Sequence, residues 1–484
     1  MNLGIISRNV GIALICNAVF MFLSAAVAAI NGFDSSFSPL MVSAMITMMV
    51  GIFPLIFVRR KNDINTKEGL AILLFAWFLS CIFAMLPYVL WGGPFSVANA
   101  WFESASGITT TGATILNDIE SLPKGLLFWR SSTHYIGGLG VVVFIMMILP
   151  SFGTVRFKMS KMDLDDVSKS NYRYKSGKFI KVIISVYLGI TISAFFLLMI
   201  AGMPMFDAAN HAMSVAATGG FSTRNASIAA YDSPAIELVL AFFMIVSSLH
   251  YGLIYASFAT RSFKVLKNPV SKFYLSTIFV VTIAVTINIL ASGLADSFLE
   301  GLRNGFFEVV STISTTGFAI TDTSSWPVFS ILLLMYVAIQ CGCSGSTTSG
   351  LRSDRVWILL KAAKAQLVKM AHPNAVVPVK TDGQVIEKEM LSSVSIYVCL
   401  YIIFVFVMAL VYSLFGFDIM GSMSASISMM SNVGPCFGEF GSSLGSFAAV
   451  PAMAKILMGF QMIVGRLGLY SILLVFFVYR RRAA

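Results

Sequence analysis

Long apolar stretches alternate with short polar ones along the whole chain. The first two cover residues 10–30 and 38–58, and each is long enough, at ~17–25 residues, to cross a bilayer as a helix. Eight more form four pairs, and a shorter, more polar helix and a glycine-containing turn separate the members of each pair. The pairs are 70–90 with 126–149, 179–202 with 234–260, 273–292 with 326–370, and 390–415 with 451–479.

This pattern predicts an all-α polytopic membrane protein with four helix–pore loop–helix repeats around one central pore, plus two N-terminal transmembrane helices. The predicted boundaries are 1–68 for the two N-terminal helices and 69–152, 153–271, 272–386 and 387–484 for repeats one to four, with an interrupted inner helix in repeat three. Composition agrees, because 57% of the 484 residues are hydrophobic and only 11% are charged, too few to cover a soluble protein.

Positive residues gather in alternate connections between the apolar stretches. The chain has a net charge of +11, and its Lys and Arg residues cluster at 59–67, 156–181, 261–272, 352–388 and 480–482. Such an excess marks cytoplasmic connections, so these clusters and both termini are expected to face the cytoplasm. Nucleic-acid binding is the weaker explanation, because no basic patch is interleaved with aromatic residues on an ordered domain.

The charges also predict how the four polar segments meet the membrane. With the N-terminus inside, ten crossings place every basic cluster inside and every polar segment outside. If one segment crossed fully, the next basic connection would lie on the wrong side, so each segment is expected to enter the membrane and return to the same face. Non-helical backbone at that depth must line water or be enclosed by protein, which indicates a pore.

Each polar segment is centred on a glycine in a similar context. The four turns are Thr110-Thr111-Gly112, Thr218-Gly219-Gly220, Thr315-Thr316-Gly317 and Asn432-Val433-Gly434, and their last glycines lie 108, 97 and 117 residues apart. Six residues before those glycines stand Ser106, Ser214, Ser311 and Ser428. One such turn would be an ordinary connection, but four in matching contexts indicate a repeated structure.

Four converging glycine turns suit the passage of a dehydrated monovalent cation. Potassium in a low-dielectric region needs oxygen dipoles in place of its water shell, and rings of backbone carbonyls supply them without an immobilising charge. Glycine permits the backbone angles that aim consecutive carbonyls inward. The preceding short helix, near 99–109 in repeat one, points its C-terminal dipole at the ion. The twelve turn residues are therefore the predicted K⁺ filter.

Two further features stand out in repeats three and four. The apolar run that ends at Gln340 has only 15 residues, and three glycines and several hydroxyl residues follow within ten positions. A cytoplasmic loop is one explanation, but so short a helix favours a loop inside the membrane, beneath the filter. Arg466 lies mid-helix, where an arginine costs at least ~2.5–3.5 kcal/mol and indicates a function. A structural role as partner of helix-end carbonyls, Glu439 or Glu103 is the alternative.

On these features the chain resembles the TrkH-type membrane subunit of the Trk/Ktr/HKT potassium uptake superfamily. The turns, the two extra N-terminal helices and the stretch His134-Tyr135-Ile136-Gly137-Gly138-Leu139-Gly140 carry the resemblance, which covers essentially the whole chain. It implies K⁺ as permeant ion, no cofactor in this chain, a homodimer in the bacterial inner membrane, and a TrkA-like cytosolic partner with nucleotide-binding RCK domains. The four central glycines favour K⁺, because in plant relatives a serine at the first accompanies sodium transport.

The resemblance also implies a gate. In the family the intramembrane loop closes the pore, and an arginine that faces the pore below the filter contacts that loop. The corresponding residues here are Gly342, Ser344, Gly345, Ser346, Thr347, Thr348, Gly350 and Arg466. The second and fourth turns depart from the family pattern, because Gly219 and Asn432-Val433 replace threonines. Selectivity is therefore expected to be looser than in tetrameric potassium channels.

Two alternatives remain open. A sodium-permeable or sodium-coupled member of the same superfamily would share these features. A membrane-embedded enzyme, such as a lipid-modifying transferase, would need His, Asp and Glu clustered near one face, and the four histidines at 134, 211, 250 and 372 are scattered. Glu103, His211 and Glu308, each nine residues before a central glycine, are expected to hydrogen-bond neighbouring helices or tune the outer mouth. The chain is therefore not expected to be an enzyme.

Overall fold

The computed structural model describes residues 2–59, 66–148, 176–381, 384–438 and 444–480, and most of them are helical. The predicted all-α class is confirmed. Strands β1 (Lys380–Thr381) and β2 (Gln384–Val385) form an antiparallel hairpin of two residues each. Glu439 and the predicted basic residues at 60–61, 156–175 and 481–482 lie outside the described residues.

Two N-terminal helices form a closely packed pair. They are α1 (Leu3–Ile30) and α2 (Phe37–Phe57). A Cβ placed on either Gly11 or Gly51 would come within 3.0 Å of the other residue's carbonyl oxygen, so the two backbones touch where they cross. Small residues at such crossings are typical of helix pairs in membranes.

Four repeats follow, each with a first helix, a short pore helix and a second helix, as predicted. Repeat one contains α3 (Thr66–Ala84), α4 (Leu86–Trp91), pore helix α5 (Val97–Ile108) and α6 (Lys124–Ile148). Repeat two contains α7 (Ser176–Ile200), pore helix α8 (Met205–Ala216), a 3₁₀ turn (Ser227–Tyr231), α9 (Pro234–Ser247), α10 (Tyr251–Ala259) and α11 (Lys264–Lys267). Repeat three contains α12 (Pro269–Ala291), pore helix α13 (Phe298–Ile313), a 3₁₀ turn (Thr323–Ser325), α14 (Val328–Gln340) and α15 (Ser353–Ala371). Repeat four contains α16 (Lys388–Ser413), pore helix α17 (Ile419–Ser431), α18 (Ala452–Leu467) and α19 (Leu469–Arg480).

The helix lengths and exposed side chains are those of a multi-pass membrane protein. Six described helices are long and apolar enough to cross a membrane, and a seventh span results if α9 and α10 are counted as one. Exposed apolar side chains such as Met49, Phe53 and Phe57 lie along α2. The predicted number of crossings is ten. It is larger because the prediction counts as full spans the second helices of the repeats, which are broken or less apolar.

Two stretches predicted as continuous helices are broken, and those predictions are wrong. The 234–260 stretch divides into α9 and α10, which meet at 100°. The 451–479 stretch divides into α18 and α19 at Gly468, whose φ of 78° is left-handed and ends the first helix. Apolarity conceals such breaks, because both halves of each stretch consist mainly of hydrophobic residues. The interruption expected after Gln340 is present between α14 and α15.

The repeats close into a ring through contacts between the last and the first. Pore helix α5 packs against α18, and the Trp101 indole Nε1 donates to the Ile456 carbonyl oxygen at 3.2 Å. A Cβ on Gly459 would collide with the same indole, so glycine is what lets Trp101 lie against α18. The circular arrangement brings all four pore helices to one centre.

Candidate ion-conduction site

The four predicted filter turns share one backbone conformation. Each pore helix is followed by a left-handed residue with φ of 54° to 56°, and these residues are Thr110, Thr218, Thr315 and Asn432. Two positions later each central glycine is left-handed again, with φ between 78° and 103°. Glycine adopts this region without strain, whereas residues with a Cβ rarely do. In all four turns, therefore, the first and third residues are left-handed and the residue between them is not.

The shared serine contributes through its backbone. The N–H of Thr111 donates to the Ser106 carbonyl oxygen at 2.8 Å, which satisfies one of the free carbonyls at the end of the pore helix. Equivalent bonds of 2.9 to 3.0 Å join Gly219 to Ser214, Thr316 to Ser311 and Val433 to Ser428. The hydroxyls differ between repeats, since Ser311 donates to the Phe318 carbonyl and Ser214 bonds the His134 ring. A small side chain, rather than one hydroxyl contact, is what the position requires.

The central glycines form a closed ring with carbonyl groups of the next turn. A Cβ on Gly112 would lie within 3.0 Å of the Gly219 carbonyl oxygen. In the same way Gly220 meets the carbonyl of Thr316, Gly317 that of Val433, and Gly434 that of Thr111. These contacts run from repeat one through two, three and four and back to one. Any side chain at these glycines would have to displace neighbouring backbone.

The two turns that depart from the pattern have a physical explanation. In the second turn, a Cβ on Gly219 would collide with the His134 ring, which stacks on Phe221 with ring centroids 4.1 Å apart. In the fourth, Asn432 occupies the left-handed position, which asparagine tolerates better than most residues. Its amide donates to the Thr111 hydroxyl at 2.9 Å and thereby links turns four and one. Both departures therefore preserve the shared backbone.

A cavity of about 250 Å³ lies against all four central glycines. Two arginines line it, and acidic residues compensate both. Arg130 is buried and pairs with Glu103 at 2.8 Å, and Arg224 lies 3.2 Å from Asp207. These pairs reduce the repulsion that a cation entering the ring would otherwise meet.

An acidic residue also lies close to this cavity, beside its lining residues Asn117 and Ile119. The Asn225 amide donates to Asp118 Oδ1 at 3.1 Å. That hydrogen bond holds the pKa of the Asp118 carboxyl below its ordinary value, because the carboxylate accepts it. Asp118 therefore stays negatively charged at neutral pH.

The position nine residues before each glycine connects the pore helix to the chain that leaves the turn. Glu103 accepts from Ile115 N at 3.0 Å, and Glu308 accepts from Ile320 N at 2.9 Å. The His211 ring bonds the Ser222 hydroxyl at 3.0 Å, while in repeat four, where this position is alanine, the neighbouring Ser424 bonds Phe437. Of these side chains Glu103 bonds a neighbouring helix, through Arg130 of α6, and the expected influence on the outer mouth stays a prediction.

Arg466 contacts the interrupted segment between α14 and α15 directly. Its side chain is buried, and Nη1 donates to the Thr347 carbonyl at 2.7 Å and to the Ser349 hydroxyl at 2.8 Å. Nη2 donates to the Gly137 carbonyl at 3.3 Å. Glu103, one of the acidic partners considered for it, pairs with Arg130 instead. Arg466 is therefore held by neutral oxygens.

The same segment reaches the second of the predicted filter turns. Thr347 Oγ1 lies 3.4 Å from Thr218 Oγ1 and 3.3 Å from the Tyr251 hydroxyl. The segment also pairs with the break between α9 and α10, because Cys343 N donates to the Ser248 carbonyl at 2.9 Å and Tyr251 N donates to the Gly345 carbonyl at 3.1 Å. The two helix breaks therefore satisfy each other's backbone groups.

The other predicted gate residues shape this segment. Ser346 bonds the Thr348 hydroxyl at 2.7 Å, and Ser344 N donates to Asp354 at 3.0 Å. Gly342, Gly345 and Gly350 allow close approach to Ser248, His250 and Cys341, respectively. The segment is thus held both by its own hydroxyls and by contacts to Ser248 and Asp354 outside it.

Three features around the turns and the interrupted segment were not predicted from the sequence. Ser349 was not among the predicted gate residues, yet it accepts from Arg466. The break at Ser248 was hidden in an apolar helix, although the polar pair Ser247-Ser248 followed by His250 was a usable signal. Arg130 was also not predicted to take part, although an arginine in a buried helix needs a carboxylate partner and Glu103 supplies one.

The chemistry of the ring suits a monovalent cation. The oxygens that its glycines approach are backbone carbonyls, whereas tightly bound divalent ions usually take carboxylates. Within the described ranges no three His, Cys, Asp or Glu residues lie together in a way that could hold a metal. The carboxylates nearest the turns, Glu103 and Glu308, are occupied by backbone N–H groups.

Comparisons with known proteins agree with this geometry. Residues 38–482 match the family model TrkH, described as cation transport protein. The chain is 31% identical over 421 residues to the Trk system potassium uptake protein TrkH of Salmonella typhimurium, with 86% of each chain covered. It is 31% identical over 420 residues to the Trk system potassium uptake protein TrkG of Escherichia coli, with 86% of this chain and 85% of that one covered.

A solved structure agrees over nearly the whole length. The crystal structure of the potassium transporter TrkH from Vibrio parahaemolyticus superposes with a TM-score of 0.88 at 28% identity and covers 98% of each chain. The predicted resemblance and the fold of four pore repeats are thereby confirmed. The chain belongs to the TrkH family of cation transport proteins, and it is a transport protein rather than an enzyme.

Proposed function

We propose that this chain admits potassium ions through the ring of four turns, across the inner membrane of a bacterium. The observation that carries the proposal is the closed ring in which each central glycine lies against a carbonyl group of the next turn. Such a ring provides repeated oxygen dipoles in place of the water shell of K⁺. The relatives, whose names describe potassium uptake, support this ion.

The proposed ion-binding residues are those of the four turns. They are Thr110, Thr111, Gly112, Thr218, Gly219, Gly220, Thr315, Thr316, Gly317, Asn432, Val433 and Gly434. The membrane potential would drive entry, because one charge moved through 100 mV gains about 2.3 kcal/mol. A tenfold gradient costs about 1.4 kcal/mol, so that voltage would sustain roughly 40-fold accumulation without ATP hydrolysis. No resident cofactor is required.

Uptake of rubidium-86 and sodium-22 by the purified protein in liposomes tests the proposal. We expect rubidium uptake that follows an imposed inside-negative voltage and that excess K⁺ inhibits. Comparable or greater sodium uptake would instead favour the sodium-permeable alternative. Gly112→Ala is the test variant and is expected to lose rubidium uptake, because a single methyl group at this position collides with the Gly219 carbonyl. Rubidium uptake equal to that of the parent protein in folded Gly112→Ala would contradict the filter.

We further propose that the segment between α14 and α15 gates this pathway, with Arg466 holding it under the filter. The contacts from Arg466 to Thr347 and Ser349, and from Thr347 to Thr218, support this role. The remaining gate residues are Gly342, Ser344, Gly345, Ser346, Thr348 and Gly350, which give the segment its close turns. Opening would require these hydrogen bonds to break.

Arg466→Ala is expected to raise rubidium uptake by about tenfold, since a hydrogen bond to a charged group contributes roughly 1.5–3 kcal/mol and at least one such bond is lost. Arg466→Lys keeps the charge but lacks the planar fork, so an intermediate rise is expected. Lys267→Ala is the control, because this lysine also carries a positive charge but is exposed at the end of α11. Unchanged or lower uptake in folded Arg466→Ala would contradict the gating role.

A cytosolic partner and a homodimer complete the proposal. The relatives are named as proteins of a Trk system, and α15 carries exposed Lys364 and Lys369. An RCK-type nucleotide-binding ring is the proposed partner. Rubidium uptake measured with and without that protein, at several nucleotide concentrations, should change with nucleotide only when it is present. Light scattering of the purified chain, without the partner, should give a protein mass of two protomers. A mass of one protomer would contradict the homodimer.

A further inference from the structure

The fourth turn places an asparagine in the left-handed position that threonine occupies in the other three. The Asn432 side chain is fully buried, and its amide nitrogen donates to the Thr111 hydroxyl at 2.9 Å and to the Met462 carbonyl oxygen at 3.0 Å. Because a carbonyl group can only accept, the atom that faces Met462 is the amide nitrogen rather than the amide oxygen. This side chain therefore joins the fourth turn, the first turn and α18.

The bond from Asn432 to Thr111 distinguishes one junction of the ring from the other three. All twelve turn residues are described, and among them this is the only side-chain hydrogen bond that connects two turns. At every junction, including this one, a central glycine also lies against a carbonyl group of the next turn. Repeats four and one, the last and the first in the chain, are therefore tied together by a contact that the other neighbouring turns lack.

The middle residue of each turn explains why the fourth turn needs such a contact. In turns one and three this residue is a threonine, and its hydroxyl bonds a hydroxyl at the end of its own pore helix, on Thr109 and Ser314, at 2.8 Å in both cases. Val433 occupies the same position in turn four and has no hydroxyl. The fourth turn is held instead by the amide of Asn432, which reaches to a neighbouring turn.

The second acceptor of this amide belongs to a helix that is packed firmly against the turn. A Cβ on Gly465 would come within 3.0 Å of the Met430 carbonyl oxygen, so the backbone of α18 lies directly against the end of pore helix α17. Met462, which accepts from Asn432, lies about one helical turn before Arg466. The amide therefore anchors the ring to the helix that carries Arg466.

We propose that Asn432 is a positioning residue that sets the preference of the ring for K⁺ over Na⁺. Thr111, which accepts from the amide, also supplies the carbonyl that lies against Gly434. The amide therefore fixes the separation of the two turns whose carbonyls meet at this junction. A ring that resists contraction around the smaller Na⁺ favours K⁺. The inference rests on the proposed function, because selectivity requires that ions pass through the ring.

Asn432→Thr is the variant that isolates the amide. It keeps the backbone, because threonine has a φ near 55° at this position in the other three turns. We expect liposomes with this variant to take up rubidium-86, but the ratio of rubidium to sodium-22 uptake should fall about fivefold, as for the loss of one neutral hydrogen bond. A purely structural role would lower the uptake of both ions together, and an unchanged ratio would overturn the proposal.

The acceptor side of the bond gives an independent test. Thr111→Val should lower the ratio to a similar extent, and the double variant with Asn432→Thr should lower it little further. Thr316→Val is the matched comparison, because that hydroxyl bonds Ser314 and no residue of another turn. Its effect on the ratio should be smaller than that of Thr111→Val. Equal effects of the two valine variants, or additive effects in the double variant, would overturn the cross-link.

The parent protein separates failure of this inference from failure of the proposed function. A parent that takes up no rubidium would contradict the proposed function and this inference with it. A parent that takes up rubidium and sodium equally would overturn only the inference, as would a selective parent whose variants keep its ratio. If Asn432→Thr does not fold, Asn432→Gly replaces it, because glycine also adopts the left-handed backbone, and the same fall is expected.

Discussion

The pore loops of repeats one and three have the same backbone but different electrostatics. Both run Thr-Thr-Gly, place a threonine left-handed at φ near 55°, and carry a buried glutamate nine residues before the glycine. Glu103 of repeat one pairs with Arg130, whereas Glu308 of repeat three forms no ion pair within the described residues. Both carboxylates nevertheless accept hydrogen bonds from the chain that leaves the turn.

The difference separates what the ring requires from what each repeat adds. The ring requires left-handed backbone at two positions of each turn. It also requires a hydrogen bond between the pore helix and the chain that leaves the turn, and a carboxylate, an imidazole or a hydroxyl can make that bond. Arg130 is an addition of repeat one, where it also donates to the Ser222 carbonyl at 3.1 Å and thereby joins repeats one and two. The four turns therefore share their backbone geometry, whereas the buried ion pair belongs to repeat one.

The largest expected effect tests the shared geometry. Gly112→Ser and Gly317→Ser should each abolish rubidium uptake, because each side chain would collide with the carbonyl of the next turn and strain a left-handed residue. Uptake in liposomes is the measurement, with folding checked by gel filtration. Substantial uptake in only one of the two variants would show that the turns are not equivalent.

Much of this geometry was predictable from the sequence. Four glycines with a serine six positions earlier could be aligned because a tight, left-handed backbone tolerates few residue types. The replacement of threonine by Gly219 could not be explained in that way, since its cause is the His134 ring, which lies 85 positions earlier in the chain. Local strain leaves a signal in the sequence, whereas a long-range contact leaves one only at two distant positions.

The broken helices show the same limit. The interruption after Gln340 was predictable, because three glycines and several hydroxyl residues cannot remain helical in hydrocarbon. The break at Ser248 was not, because the apolar residues around it favour one helix. It exists because the interrupted segment accepts and supplies its backbone hydrogen bonds, through Cys343 and Gly345.

The second expected effect tests the pair that repeat one adds. Glu103→Gln leaves the buried guanidinium of Arg130 without a counter-charge, so we expect a loss of about 3–5 kcal/mol in the free energy of unfolding. Unfolding in mixed micelles measures it. The double variant Glu103→Gln, Arg130→Met should recover much of the loss, because the unpaired charge is gone. Additive losses would show that the two side chains are not coupled.

A smaller effect is expected where a neutral hydroxyl makes the connection. Ser424 donates to the Phe437 carbonyl at 2.8 Å and accepts from Phe437 N at 2.9 Å, both in buried surroundings. Ser424→Ala leaves these backbone groups unpaired and should lower the free energy of unfolding by about 1–3 kcal/mol. Ser413→Ala, at the exposed end of α16, is the control and should change it by less than about 0.5 kcal/mol.

The smallest effect is expected at Glu308, and it decides whether charge matters to the shared connection. Glu308 Oε1 accepts from Ile320 N at 2.9 Å and from Thr321 N at 3.3 Å, and a neutral amide oxygen can accept both bonds. Glu308→Gln should therefore change the free energy of unfolding by less than about 1 kcal/mol, in contrast to Glu103→Gln. The same micelle titration measures both variants. A loss at Glu308 as large as that at Glu103 would mean that the negative charge itself holds the third turn, and the distinction between shared geometry and local charge would fail.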